Sequence, residues 1–472
     1  MFTLFRPELG EYAQQVIAEH RRYYAGGIPA PELQSLQTER IRATLRYVRQ
    51  NSPFYRRLLR DHSAEALAGV TTESLQELPF TTKDDLRAEL FDVPSQPLDK
   101  AWTFYETTGT TGRATPCPRD ERDSIVNNTA LTLSYEDIFR QHGDRHVVAV
   151  LGPTELHSTG DTFGDVLRNL GHTVVKMWPH SPVVGIPRAL TLLAELGVTA
   201  VVCTPGMAIT LAKELRRSGA DPKSAFQIRL MLALGELAAP AMLQQLGELW
   251  GCAVYNCMYA SQESSILASC RADGLLHTVP LNNFYEVVDD LGRRVAPGPG
   301  AVREGELVIS HLYQGAKPLI RYRTGDMVRL APSADSTTSQ VLRPIGRVRD
   351  ALHLAGRPVC AFDIEETLFL HIRGVIDYRL VIEQREGADV VVVHLEPVDE
   401  AAGEQIDRVA IAAAVRAEFG VDCEIELGRM DAITGTGAMV SWKAARIHDR
   451  RDGEIEPERL AALAIASARS SA

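Results

Sequence analysis

The sequence predicts an α/β protein. A large N-terminal domain with mostly parallel sheets flanked by helices carries a β-rich subdomain, and a small α+β domain follows it. Three observations lead there. The chain has 472 residues, too many for one hydrophobic core. From residue 145, short β-branched runs alternate with helical stretches. After about residue 346–350 the texture changes again.

The alternating series runs as follows. RHVVAVLG precedes TFGDVLRNLG, HTVVKMW precedes IPRALTLLAELG, and VTAVVCTP precedes MAITLAKELRRSG. IRLMLALGE precedes APAMLQQLGELWG, and CAVYNCMYA closes the series. Near-continuous apolar strands spaced by helices mark a parallel sheet covered on both faces. Upstream, residues 1 to about 95 read as helical: EYAQQVIAEHRRYY and LQTERIRATLRYVRQ repeat apolar residues at helical spacing. In LPFTTKDDL, Thr82 is placed to cap a helix that begins at Lys83–Asp84. Residues 281–345 read as β-rich hairpins, through NFYEVVDDLGRRV, GELVISHLY and MVRL. In the last part, VIDYRLVIEQREGADVVVVHLEPV reads as two strands and a turn. EQIDRVAIAAAVRAEFG reads as an amphipathic helix, and VDCEIELGRM as a further strand.

Composition narrows the function. Apolar residues make up 45% and charged residues 24%, an ordinary globular balance. The net charge of −11 argues against nucleic acid or an anionic membrane as the main partner. No apolar run approaches the roughly 20 residues of a membrane helix. MFTLFRPELGEY meets charge too early for a secretory signal. Seven scattered cysteines do not suggest a disulfide framework. A cytoplasmic protein with reduced thiols is expected.

Five stretches carry candidate chemistry. In ETTGTTGRATPCPRD, residues Thr107 to Gly112 are only threonine or glycine, and Arg113 follows. Backbone N–H groups, hydroxyls and a cation together suit an anion, although no Gly-Lys-[Ser/Thr] closes the loop as a Walker motif would. A surface linker fits the same residues. In YASQE, Glu263 can take Mg²⁺ while Tyr259 flanks a planar ring; a surface glutamate on a loop is the plain alternative. In PLIRYRTGD, the turn exposes Asp326, whose carboxylate can accept two hydrogen bonds from a vicinal diol, although a plain hairpin turn reads the same. GRVRD, 346–350, suits a hinge or a linker, with Arg347 available to a ribose or phosphate. GTGAMVSWKAARIHDRR offers a lysine after a glycine-rich loop, a compact cation for developing phosphate charge, or else a solvated basic face.

Taken in this order, the five stretches resemble the AMP-forming adenylate-forming superfamily of acyl-CoA synthetases. NSPFYRRLL, LPFTTKDDL, GELAAP and GELVISHLYQGAKPLIRYRTGD look like the phenylacetate–CoA ligase branch, and the likeness runs from about residue 45 to 451. The resemblance implies domains at 1–345 and 351–472, the second a mobile lid, with a hinge at 346–350. It implies that Thr107, Thr108, Gly109, Thr110, Thr111 and Gly112 hold the outer phosphates of ATP. Gly235 and Glu236 would border the adenine, Tyr259 adenine or substrate, and Asp326 with Arg347 the ribose. Glu263 would bind Mg²⁺, and Lys443 would bridge the substrate carboxylate and the α-phosphate. Lys443, Glu263 and Thr110 are the implied catalytic residues. The implied reaction joins ATP and a carboxylic acid as acyl-AMP, then passes the acyl group to CoA.

Three positions depart from the family pattern. Arg113–Ala114 stand for Lys-Pro, Arg349–Asp350 for an acidic pair at the hinge, and Trp442 for the glycine before the lysine. The last two leave a carrier protein, an amine or a small inorganic nucleophile open as acceptor. The acyl pocket is expected near GPTELHSTG, with Glu155, His157, Ser158, Tyr259 and Ala260 around it. Its polar residues suggest a hydroxy- or amino-substituted aromatic acid. Cys252, Cys257, Cys270 and His277 invite zinc, although they lack the tight C-x₂-C spacing of structural sites. A homodimer is expected by family habit.

Overall fold

The computed structural model describes residues 6–107, 114–335, 337–430 and 446–451. Its first layer is a five-stranded parallel sheet in the order Thr173–Lys176, Val147–Val150, Ala200–Cys203, Leu230–Ala233, Ala253–Asn256. Ala200–Cys203 and Leu230–Ala233 are buried along their whole length, which is why their sequences are unbroken apolar runs. The chain starts in Val147–Val150, steps to one neighbour and then crosses to the other. The strand order therefore reverses between Val147–Val150 and Ala200–Cys203, the point where open α/β sheets receive ligands beyond their carboxyl ends.

The second sheet is antiparallel and seven-stranded: Asn283–Val288, Arg303–His311, Tyr322–Pro332, Gln340–Arg347, Leu276–Thr278, Ser265–Cys270, Met258–Ser261. CAVYNCMYA, read as one closing strand, is split between the two sheets at Cys257. There Cys257 N–H donates to Ala233 O at 2.8 Å, while Cys257 O accepts from Tyr135 Oη at 2.8 Å and Cys270 N at 2.9 Å. A short hairpin of Thr103–Glu106 and Pro116–Arg119 flanks the threonine–glycine stretch. Asp120 then caps the long helix Glu121–His142, accepting from Arg122 N and Asp123 N, in a reciprocal box with Asp123.

The C-terminal part forms its own four-stranded sheet, ordered Asp422–Leu427, Ala388–Pro397, Val375–Arg385, Ile447–Asp449, with helices Ala361–His371 and Arg408–Phe419. It is docked on the parallel layer. Met242, Leu246 and Leu249 share one apolar cluster with Phe369, Ile376 and Tyr378. The residual void there is about 10 Å³, no more than one water needs. Helix Pro240–Trp250 has no side-chain cap from its own segment. Its first N–H groups are met instead from helix Ala361–His371: Glu365 accepts from Ala239 N at 2.6 Å and Glu366 from Ala241 N at 3.3 Å. Carboxylates at a helix start answer both the orphan donors and the macrodipole.

Candidate active site

The site is assembled beyond the carboxyl ends of the parallel strands, where YASQE, the Tyr322–Pro332 strand and the TTKDDL segment meet. TTKDDL reaches it through backbone pairing: Thr81 N donates to Arg321 O at 3.0 Å, and Arg323 N donates to Thr81 O at 2.9 Å. Thr82 caps the following helix in a box with Asp85, which puts Lys83 at its first turn. Lys83 Nζ then lies 3.3 Å from Glu263 Oε1, and Tyr322 Oη donates to the same oxygen at 3.1 Å. Glu263 is 7% exposed. Burial alone would raise its pKa, but Lys83, with help from Lys317 and Tyr322, pulls it down to about 2. Glu263 is thus a buried, permanently ionised carboxylate with a half-exposed cation facing it.

A second carboxylate, Asp326, sits on the strand that begins with Tyr322. Tyr259 Oη donates to Asp326 Oδ2 at 2.6 Å, and Arg347 Nε stands 3.7 Å from Asp326 Oδ1. Asp326 and Arg347 are cross-strand partners, so the sheet register fixes the pair. Burial raises the pKa of Asp326 while Arg347 opposes it. Burial and Asp326 together raise Tyr259 well above its ordinary value, so Tyr259 stays a donor. After strand Leu230–Ala233, Gly235 has φ 81° and Glu236 turns back to accept from Gly206 N at 3.0 Å, at the start of helix Pro205–Arg217. Burial raises Glu236's pKa, with Arg446 opposing. A Cβ on Gly206 would meet Glu236 Oε1 at 2.9 Å, so a larger residue there would have to push that carboxylate aside.

Thr107 closes the neck of the hairpin: Thr115 N donates to its Oγ1 at 2.9 Å and Thr107 N donates to Thr115 O at 3.2 Å. Thr108, Gly109, Thr110, Thr111, Gly112 and Lys443 lie outside the described residues. Of the acyl-pocket candidates, Glu155 is exposed, while His157 and Ser158 are half-buried and Ala260 is paired with Ile266. His157 Nδ1 accepts from Thr159 N at 3.3 Å and meets Thr159 Oγ1 at 2.8 Å. Its proton is therefore on Nε2. Burial and the nearby Arg119 guanidinium push its pKa down to about 4, so it is neutral at pH 7.

The zinc candidates are not gathered into a metal site among the described residues. No group of three or more His, Cys, Asp or Glu among the described residues could hold a metal. His277 is committed to Asp273 at 2.8 Å and Ser339 at 3.1 Å, and Cys270 Sγ donates to Arg271 O. Cys257 sits at the buried crossover between sheets, and Cys252 stands before it at the start of strand Ala253–Asn256.

Lys83, Tyr322, Arg119 and Lys317 were not singled out from the sequence. The one visible sign of Lys83 was the TTKDDL capping pattern, which marks a helix start and not a ligand site, while Arg119, Lys317 and Tyr322 sit inside the quoted motifs without an assigned role. Arg119 Nη2 donates to Gln262 O at 3.0 Å, and buried Lys317 Nζ donates to Pro116 O at 2.6 Å, so both tie the hairpin to YASQE and its sheet.

A family model described as AMP-binding enzyme matches residues 9–314. The phenylacetate–coenzyme A ligase of Thermus thermophilus is 28% identical over 399 residues, covering 80% of this chain and 85% of that one. The Escherichia coli enzyme of the same name is also 28% identical, over 77% of this chain and 82% of its own. A solved 2-hydroxyisobutyryl-CoA ligase in a postadenylation state superposes with a TM-score of 0.74 at 21% identity, covering 96% of this chain and 94% of that chain. With the strand order, the buried acids and the sequence motifs, these likenesses agree on one family. The chain belongs to the AMP-binding enzyme family, as an AMP-forming carboxylate ligase of the phenylacetate–CoA ligase-like type.

Proposed function

We propose that the enzyme activates an aromatic acid bearing a hydroxyl or amino group, through acyl-AMP, and passes it to CoA. The observation that carries the substrate reading is His157. It is neutral, half-buried beside Arg119, and its Nε2–H is a donor that a substrate oxygen can accept. A pocket that offers a buried donor favours an acid that answers it and disfavours one that leaves it unpaired.

In this reading residues 1–345 form the AMP-binding domain, 346–350 the hinge and 351–472 the lid. Asp326, oriented by Tyr259 and flanked by Arg347, accepts from the ribose hydroxyls. Gly235 and Glu236 border the adenine. The Thr107–Gly112 stretch grips the outer phosphates, and Lys443 meets the substrate carboxylate and the α-phosphate. Glu263 is a hard, ionised oxygen donor facing a cation, which fits it to hold Mg²⁺ together with phosphate oxygens. When bound, that ion neutralises phosphate charge that repels an attacking carboxylate. Lys83 lies on the same oxygen and adds positive charge there from the protein itself.

The test is pyrophosphate release with a panel of benzoic, cinnamic and phenylacetic acids, with and without ring hydroxyl or amino groups, and with a small aliphatic hydroxy acid as control. Substituted aryl acids are expected to lead, and His157→Ala to erase their advantage over unsubstituted ones by about ten-fold or more. A lead for unsubstituted or aliphatic acids would refute the substrate reading. Mass spectrometry with CoA present is expected to show the thioester; an AMP ester that persists would point to another acceptor.

A further inference from the structure

The most densely charged buried spot outside the active site lies where helix Pro205–Arg217 meets the C-terminal sheet. Asp377 and Glu396 are cross-strand partners on Val375–Arg385 and Ala388–Pro397. Two carboxylates placed opposite each other repel. The cation that reconciles them comes from the other part of the chain. Lys213 Nζ lies 2.9 Å from Asp377 Oδ2 and 2.6 Å from Glu396 Oε2, and donates to Met430 O at 2.9 Å. All three of its N–H bonds are used, and its side chain is 3% exposed.

The partners of this cluster are informative. Met430 N donates to Glu396 Oε2 at 3.0 Å, so Met430 is held by both its N–H and its C=O. Arg446 pairs with the other oxygen of Asp377 and donates to Tyr378 O at 2.9 Å. The chain between 430 and 446, which contains Lys443, thus leaves and re-enters at one charge cluster. That cluster lies on the helix whose first turn is bonded to Glu236, and Arg446 is close enough to Glu236 for their charges to act on each other. Lys213 thus holds one end of this segment directly, through Met430, and the other through Asp377, which also carries Arg446.

We propose that Lys213 is a positioning residue for adenylation: by gathering Asp377, Glu396 and Met430 it seats the ends of the 430–446 stretch against the adenine-side loop. The inference rests on the adenylation reading above. Transfer to CoA, in which the family reading withdraws the lysine segment, does not depend on this seat.

The experiment uses the full-length Lys213→Met variant and an acid chosen from the panel. Two reactions are read separately: acid-dependent ATP–pyrophosphate exchange, and thioester formation from supplied acyl-AMP and CoA. The expected result is a loss of about 10²-fold in exchange kcat, the scale of a misplaced reacting group, with KM for ATP little changed. Thioester formation from supplied acyl-AMP stays close to wild type, and Lys213→Arg recovers part of the exchange. Equal losses in both reactions, or no loss in exchange, would overturn the proposal. If Lys213→Met does not fold, Glu396→Gln keeps the Lys213–Asp377 pair while weakening the hold on Met430. It should show the same split, smaller, and an even loss or none overturns the proposal equally. Wild-type protein that exchanges with no acid would instead defeat the adenylation reading itself.

Discussion

Two lysine–carboxylate pairings in this molecule look alike on paper and differ in kind. Lys83 faces Glu263 at 3.3 Å with its side chain 40% exposed. Lys213 faces Asp377 at 2.9 Å with both partners buried. The first cation is partly open to solvent and faces one acid, so a ligand can take over either partner. The second is saturated with acceptors in a dry contact, where separating the charges leaves an uncompensated ion. In the proposed reading the open pairing belongs to the chemistry, and the closed one to the geometry that the chemistry needs.

The contrast can be broken most severely at Asp377. Asp377→Ala leaves Arg446 without its carboxylate inside the protein and should lower unfolding stability by about 3–5 kcal/mol, read from the urea midpoint. A change under about 1 kcal/mol would mean that the cluster is not dry. At the open pairing, Glu263→Gln should reduce acid-dependent pyrophosphate release by about 10²–10³. An undiminished rate would remove Glu263 from the chemistry.

Lys83→Met sharpens the comparison through pH. Glu263's pKa is depressed to about 2, so the carboxylate is ionised at all working pH values and its contribution is lost only as pH falls through that value. Without Lys83 the burial cost is less opposed and the pKa rises. The acid limb of the rate profile should then move to higher pH by about one unit or more. A limb that stays put would show that Lys83 does not control Glu263. The smallest effect is expected at Glu365→Gln, which weakens a cap on helix Pro240–Trp250. A loss of about 1 kcal/mol is expected in thermal or urea unfolding, and a rise in stability would contradict the capping role.

The parallel layer was legible because its strands are buried on both faces and read as apolar runs. The break at Cys257 was not, because a strand that changes sheets keeps the same β-forming texture on both sides. Glu263 and Asp326 could be picked out from their local text, but Lys83 could not. Its approach to Glu263 comes from a backbone pairing between Thr81 and the Tyr322 strand, and no local pattern reports a contact so distant in sequence. Lys213 hides for another reason. MAITLAKELRRSG is amphipathic, and a lysine there reads as solvated until a second sheet is laid over it. Asp377 left a faint trace, a lone acid in the apolar run VIDYRLVI. Cysteine spacing along the chain does not say which thiols meet: Cys257 and Cys270 share one core cluster, while Cys252 packs against another.

The borrowed cap on helix Pro240–Trp250 has a practical corollary. Glu365 and Glu366 finish a structural element that belongs to the preceding layer, and Phe369, Ile376 and Tyr378 shield its greasy side. A fragment ending near residue 350 would present raw amide donors and a bare oily surface, a recipe for clumping during expression. Anyone trimming this protein for crystallisation or tethering should cut elsewhere.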